Sequence, residues 1–209
     1  LIQWNVLRDN FSYDFNGQLI QQLSKHDVVV KDILCASPDG QQLYYSATGP
    51  NPTNTLIYRC DLKGTTELMT KEEGTHSFML STKGTYFLDT YSSLSVPFKG
   101  MIWTNNGKMA KLIMLSKDKL DDYNIGKTEI GSIKGKDGSD LYYRMIKPSN
   151  FDPSKKYPVL VYVYGGPHAQ MVTNSWMAGA NLWMHWMANQ GYIIFTLDNR
   201  GSGERGFAF

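Results

Sequence analysis

The sequence predicts a mixed fold, in which blades of a β-propeller come first and the beginning of an α/β sheet follows. Up to about residue 116, turn motifs recur roughly every 45 residues, the spacing expected of four-stranded propeller blades. Farther along, apolar runs at 157–164 and 192–198 flank a segment with helical periodicity. We therefore expect two domains, the last blades of a propeller at 1–118 and the N-terminal portion of the α/β domain at 119–209.

Two kinds of turn carry the repeat in the first domain. The turns Ser-Pro-Asp-Gly and Ser-Thr-Lys-Gly end at Gly40 and Gly84, which are 44 residues apart. A second set of turns ends at Gly17, Gly64 and Gly107, at intervals of 47 and 43 residues. Glycine at these positions supplies the positive φ that tight β connections require.

This repeat predicts two whole blades, at 28–70 and 74–116, and the end of a third blade before them. Because propellers close with about four to eight blades, the remaining blades are expected upstream of residue 1. A β-sandwich with coincidental turns is the alternative, since regularly spaced strands also occur in sandwiches.

The second domain is predicted to begin with a hairpin. A polar connector at 117–124 is followed by strands at 128–134 and 141–147, which flank an Asp-Gly turn. The run 157–164 then reads as a strand buried between two layers, and 192–198 as a second buried strand. An α/β-hydrolase sheet begins in this order, with an antiparallel hairpin followed by a parallel strand–helix–strand unit.

The crossover between these two strands is predicted to be a helix at 178–190 that ends at Gly191. Its packed face is predicted from four large apolar side chains at helical spacing: Leu182, Trp183, Trp186 and Met187.

Composition excludes several functions and leaves others open. The 21 basic and 19 acidic residues nearly cancel, so we expect no nucleic-acid partner. Cys35 and Cys60 are predicted to be buried free thiols, and neither a cofactor nor a metal site is predicted. No apolar run reaches the length of a membrane helix, no signal peptide is evident, and residue 1 is Leu, so the chain reads as a piece of a longer protein.

The strongest candidate site is the turn Tyr164-Gly165-Gly166-Pro167, directly after the first long strand. In open α/β sheets, ligands bind at the carboxyl ends of the strands. A tyrosine hydroxyl or the following amides at that place can stabilise the oxyanion of an acyl-transfer reaction. The alternative is that the glycines only permit a tight turn and that Tyr164 packs in the core.

The segment 201–206 has the form G-x-G-x-x-G, but the dinucleotide-binding reading is weak. Neither a following helix nor the later acidic residue can be checked, so a structural loop is preferred. Ser202 is not within a G-x-S-x-G elbow and is not predicted to be a nucleophile. His168 is predicted on a surface loop and His185 within the crossover helix, and neither has an acidic partner at a recognisable spacing.

Two motifs carry a family resemblance. The stretches YPVLVYVYGGPHAQ and GYIIFTLDNRGSG resemble the start of the catalytic domain of the prolyl oligopeptidase family, and they are most similar to its dipeptidyl peptidase IV branch. The blades before them, including the SPDG turn, resemble the last propeller blades of the bacterial members. The resemblance implies a serine peptidase that removes N-terminal dipeptides with Pro or Ala in second position.

The same resemblance implies that Tyr164 is the oxyanion-hole tyrosine. It places the nucleophilic Ser, the Asp and the His beyond the end of this chain, so the chain alone is expected to be inactive. It further implies a periplasmic or secreted protein and leaves a homodimer open. The alternatives are another peptidase of the family, of acylaminoacyl or oligopeptidase type, and a non-catalytic propeller used as a binding module.

Overall fold

The computed structural model describes residues 2–4, 9–206 and 208–209, and side chains from residue 9 onward. Its first sheet has three antiparallel strands, in the order β1 (Ile2–Trp4), β2 (Asn10–Tyr13) and β3 (Leu19–Gln22). This sheet stands where the end of a third blade was predicted.

Two four-stranded antiparallel sheets follow in chain order, and they confirm the two predicted blades. The first blade consists of β4 (Val30–Ala36), β5 (Gln42–Ala47), β6 (Leu56–Asp61) and β7 (Thr66–Leu68). The second blade consists of β8 (Thr75–Leu80), β9 (Tyr86–Ser93), β10 (Val96–Thr104) and β11 (Met109–Leu115).

The first blade is buried on both of its faces. Adjacent residues of β5 point to opposite sides of the sheet, so Tyr44 and Tyr45 enter different cores, and both are fully buried. The core on the side of Tyr44 contains Phe87 and Trp103 of the second blade. The two blades therefore stack face to face, as successive propeller blades do.

The last sheet is mixed. It has four strands, β12 (Thr128–Lys134), β13 (Asp140–Ile146), β14 (Val159–Tyr162) and β15 (Ile193–Leu197), in the order β12-β13-β15-β14. The pair β12–β13 is the predicted antiparallel hairpin. Strands β14 and β15 are parallel, and the helix α1 (Leu182–Asn189) lies between them in the chain. The predicted strand–helix–strand unit is confirmed.

The prediction that the run 157–164 is buried on both faces is wrong. Three of the four residues of β14 are exposed, among them Val159 and Val161 at 54% and 60%. Among the described residues, the strand pairs only with β15, so it lies at the edge of the sheet and has a neighbour on one side alone. In β15, which pairs on both sides, Ile194 and Thr196 are buried and the other three residues are half-buried.

The predicted packing face of the crossover helix is also wrong. Three of the four predicted residues, Leu182, Trp183 and Trp186, are exposed, whereas Met187 is half-buried and packs against the core as predicted. The helix packs on the sheet mainly through the adjacent face, with Met184, His185 and Ala188 buried. The helix is shorter than predicted because residues 176–179 form a separate turn before it. Its end is as predicted: Gly191 has a φ of 93° and its amide donates to the Ala188 carbonyl at 2.9 Å.

Both cysteines are free, as predicted, but only Cys60 is buried, while Cys35 is half-buried. Burial raises the pKa of the Cys60 thiol to about 11 and also raises that of Cys35. Both thiols are therefore poor nucleophiles at neutral pH. Within the described ranges, no helix has the length and apolar character needed to cross a membrane.

Candidate functional site

Tyr164 lies two residues beyond the end of β14 and is 63% exposed. The chain turns directly after it, with Gly165 at a φ of 73°. The tyrosine ring folds over Gly166, where a Cβ atom would be only 2.8 Å from the Tyr164 Cε1. The two glycines are therefore both needed, one for the backbone conformation and one for the close approach of the ring.

The second glycine-rich turn, at 201–203, contacts the two residues that directly follow this candidate turn. The amide of His168 donates to the Gly201 carbonyl at 3.0 Å, and the amide of Gly203 donates to the Ala169 carbonyl at 3.3 Å. A Cβ on Gly203 would lie 2.8 Å from the His168 carbonyl oxygen, so only glycine fits there. The segment that matches G-x-G-x-x-G thus supports the Tyr164 turn, and its Ser202 is buried.

Two arginines tie the same segment to the β12–β13 hairpin. The Arg205 guanidinium donates to the Asp140 carbonyl at 2.8 Å and lies over the rings of Tyr142 and Phe209, 5.2 and 4.0 Å from their centroids. The Arg200 guanidinium pairs with the Asp137 carboxylate. The side chains next to the turn at 201–203 therefore contact the β12–β13 hairpin, which is distant in sequence.

Arg144, on β13, is fully buried beneath this region. Its guanidinium donates to the carbonyls of Met171 and Ala178, at 3.2 and 2.7 Å, and to the Thr196 hydroxyl at 3.0 Å. Ala178 and its neighbour Met177 have left-handed backbone conformations, with φ values of 54° and 57°. Residues other than glycine adopt this conformation at a cost of about 1–2 kcal/mol each. Arg144 therefore stabilises a strained turn between the candidate site and α1.

Asp198, at the end of β15, holds the other side of the same segment. Its carboxylate accepts hydrogen bonds from the amides of Met171 and Val172, at 2.8 and 3.1 Å. Burial raises the pKa of Asp198, and the two amide bonds and the Arg144 charge oppose that shift. Burial lowers the pKa of Arg144 in turn.

His185 is buried on the inner face of α1, and neither of its ring nitrogens has a hydrogen-bond partner among the described residues. Burial, and secondarily the Arg144 charge, lower its pKa. The imidazole is therefore neutral at pH 7. His168, in contrast, is exposed and has a φ of 64°. The structure thus places the two histidines in different environments, as the sequence predicted.

A second ionisable pair lies inside the second blade. The His76 Nδ1 atom is 2.8 Å from the Asp89 carboxylate, its Nε2 atom bonds the Glu72 carbonyl at 3.0 Å, and both side chains are almost fully buried. The imidazole stacks on Tyr91, with centroids 4.6 Å apart. Every polar nitrogen of this histidine is satisfied within the blade, so the pair is a structural element of the blade core.

Sequence reasoning found Tyr164 and both glycine-rich turns but missed Arg144, Asp198 and His76. One signal was available for Arg144, because it interrupts the alternating apolar strand at 141–146 on the same face as Ile146. Within the described ranges, no three His, Cys, Asp or Glu side chains are grouped as a metal site would require.

The architecture defines a class of protein in which stacked blade-like sheets precede a mixed sheet that carries glycine-rich turns at its edge. Residues 9–98 match the family model described as the N-terminal region of dipeptidyl peptidase IV. Dipeptidyl peptidase 4 of Trichophyton rubrum is 30% identical over 207 residues, which cover 95% of this chain and 27% of that protein. Over nearly its whole length, the chain is thus similar to a segment of the dipeptidyl peptidase IV family proteins.

Solved structures agree with this similarity. The crystal structure of Porphyromonas gingivalis dipeptidyl peptidase 4 matches with a TM-score of 0.85 at 27% identity, over 95% of this chain and 28% of that one. A Bacteroides ovatus protein provisionally named a dipeptidyl aminopeptidase IV matches with a TM-score of 0.82 at 36% identity, over 97% and 30%. The chain spans somewhat more than a quarter of the length of these relatives.

Proposed function

We propose that the intact protein is a serine peptidase of the dipeptidyl peptidase type, and that this chain supplies its oxyanion-stabilising residue, Tyr164. The observation that carries the proposal is the position of this tyrosine: exposed, on a turn fixed by a second turn, just beyond the carboxyl end of a parallel strand. Ligand sites of open α/β sheets lie at this edge.

In the proposed reaction, a serine outside this chain, assisted by a histidine and an aspartate also outside it, attacks the carbonyl of the scissile peptide bond. Negative charge then develops on the carbonyl oxygen. The Tyr164 hydroxyl donates a hydrogen bond to that oxyanion, and the intermediate collapses to an acyl-enzyme bearing the dipeptide. Substrates are proposed to be peptides with Pro or Ala in second position, and no cofactor takes part.

The proposed division of the chain follows the sheets. Residues 1–118 contribute the last propeller blades, and residues 119–209 begin an α/β-hydrolase domain. The strand order β12-β13-β15-β14, with a hairpin before a parallel crossover, supports the second assignment. The free edge of β14 is where further parallel strands would add. The intact protein is proposed to be periplasmic or secreted, and to form a homodimer.

Removal of one hydroxyl tests the proposal. In the intact protein, Tyr164→Phe is expected to lower kcat for a Gly-Pro chromogenic substrate by about 10²–10³-fold with little change in KM, because the lost bond forms only in the transition state. Tyr123→Phe is the matched control, since that tyrosine is 67% exposed on the connector, and it is expected to leave both constants unchanged.

Two results would overturn this proposal. One is full activity of Tyr164→Phe. The other is that the intact wild-type protein cleaves an N-acylated Gly-Pro substrate but not the same substrate with a free amino terminus. That result would indicate a different branch of the family. The 209-residue chain alone is expected to be inactive and serves as the reference.

A further inference from the structure

The segment at 169–176, between the Tyr164 turn and α1, is bonded to the blades at three positions. The Gln170 side chain donates to the Pro52 carbonyl at 2.8 Å, and the Trp176 amide donates to the Ser92 hydroxyl at 3.3 Å. Asn174, between them, makes the larger set of contacts.

Every polar group of Asn174 is bonded to a blade residue. Its amide donates to the Thr53 carbonyl at 2.7 Å and its carbonyl accepts from the Thr75 hydroxyl at 3.0 Å. Its Nδ2 atom donates to the Asn54 Oδ1 atom at 2.8 Å, and its Oδ1 atom accepts from the Leu94 amide at 3.1 Å.

These partners come from both blades at the place where the blades join. Thr53 and Asn54 lie between β5 and β6 of the first blade, whereas Leu94 follows β9 of the second. The blades bond each other directly beside Asn174, where the Thr55 amide donates to the Gly74 carbonyl at 2.9 Å. Asn174 therefore contacts two sheets and the junction between them.

The contact is desolvated on the blade side. Thr53 and Asn54 are 2% and 1% exposed, so the hydrogen bonds they make to Asn174 are formed away from water. An amide side chain suits this place because it donates and accepts at once. Alanine would provide neither group, and aspartate would provide only acceptors.

The other end of the same short segment is fixed to the mixed sheet. Asp198 accepts from the amides of Met171 and Val172, and Arg144 donates to the Met171 carbonyl. Thr173 alone separates Val172, which the sheet holds, from Asn174, which the blades hold. A shift of the blades would reach the Tyr164 turn through packed and hydrogen-bonded backbone that does not deform freely.

We infer that Asn174 is a positioning residue, which fixes the two blades against the segment that leads from the Tyr164 turn. Its loss loosens the junction between blades and sheet and misplaces Tyr164 relative to the reacting carbonyl. The kinetic part of this inference rests on the proposed peptidase function, whereas the junction itself does not.

The junction is tested by hydrogen exchange in the intact protein. In Asn174→Ala, the Leu94 amide loses its acceptor, and its exchange is expected to accelerate about tenfold, together with that of residues 170–176. In Asn174→Asp, an oxygen remains for Leu94, so that amide stays protected. Asn189→Ala is the matched control, because the Asn189 side chain is exposed and, within the described part of the chain, bonds the Asn124 carbonyl alone, at 2.8 Å.

Kinetics test the positioning role. Asn174→Ala is expected to lower kcat about tenfold with KM changed less than twofold, since misplacement of a catalytic group affects turnover more than binding. Thr75→Val, which removes one of the same bonds from the blade side, is expected to shift kcat in the same direction by a smaller factor. Asn189→Ala is expected to change neither constant.

Unchanged exchange at Leu94 and at 170–176 in Asn174→Ala would overturn the junction. Accelerated exchange with wild-type kcat would overturn the positioning role and leave a purely structural contact. If Tyr164→Phe retains full activity, the proposed function fails, and the exchange measurements still decide whether Asn174 holds the blades.

Discussion

The first blade and the mixed sheet bury their strands to different extents. Strand β14 of the mixed sheet is more apolar than strand β5 of the first blade, but it is also more exposed. Five of the six residues of β5 are buried, although this strand contains Gln42 and Ser46. Three of the four residues of β14, Val-Leu-Val-Tyr, are exposed. Strand β5 has a neighbour on each side and a packed sheet over each face, whereas β14 has one neighbour. Burial is thus decided by position in the sheet, not by the composition of the strand.

The largest difference between the two regions is expected when one arginine is removed from each. Arg144→Ala in the mixed sheet is expected to lower the free energy of unfolding by about 3–5 kcal/mol, because the carbonyl of Ala178 and the hydroxyl of Thr196 lose their buried donor. Arg59→Ala in the first blade removes bonds to Asn105 from a more exposed side chain, and the expected loss is about 1 kcal/mol. Urea unfolding measures both values, and equal losses would contradict the buried role of Arg144.

A pH experiment next probes two buried titratable groups of the mixed-sheet region, His185 and Asp198. The lowered pKa of His185 means that the unfolded chain binds a proton more readily than the folded one, so its contribution to stability is present above about pH 6.5 and lost as the pH falls. The raised pKa of Asp198 acts in the opposite sense, with stability lost as the pH rises through its folded value.

The difference between wild type and His185→Leu isolates the histidine. This variant is expected to be the more stable of the two by about 1–2 kcal/mol at pH 5, since it removes a buried ring without partners, and the gap is expected to narrow toward pH 7. Chemical denaturation at several pH values measures the gap. A gap that does not change with pH would show that His185 does not titrate on unfolding.

The smallest effect is expected at the exposed edge. Val161→Thr in this chain is expected to change the free energy of unfolding by less than about 0.5 kcal/mol, because Val161 is 60% exposed. Ile194→Thr on the adjacent strand, at a fully buried position, is expected to cost about 2 kcal/mol. A large loss at Val161 would show that the β14 edge is covered by another copy or another segment.

Much of the fold could be predicted because its signals are local. Gly40 and Gly84 have φ values of 69° and 68°, as their turns require, and the strands between such turns pair with their immediate neighbours in sequence. The hairpin at 128–146 and the cap at Gly191 follow from the same kind of short-range chemistry.

The candidate site was predictable only in part. Tyr164 and the turn at 201–203 could be assigned to one edge of the sheet, because both follow strands that were predicted to be parallel. The network beneath them could not. Arg144 bonds residues 27 to 52 positions away, and Asn174 bonds residues 80 to 121 positions away, as the difference 174 − 53 shows.

By itself, the sequence determined which segments form strands, which turns need glycine, and which tyrosine stands at the edge of the parallel pair, since these depend on backbone conformations set by a few consecutive residues. Only the tertiary structure decided which apolar faces are covered and which buried charges find partners. The order of strands in the sheet leaves β14 open, and the stacking of the blades places Thr53, Asn54 and Leu94 around one asparagine. Those contacts join distant parts of the chain, and no local pattern of residues encodes them.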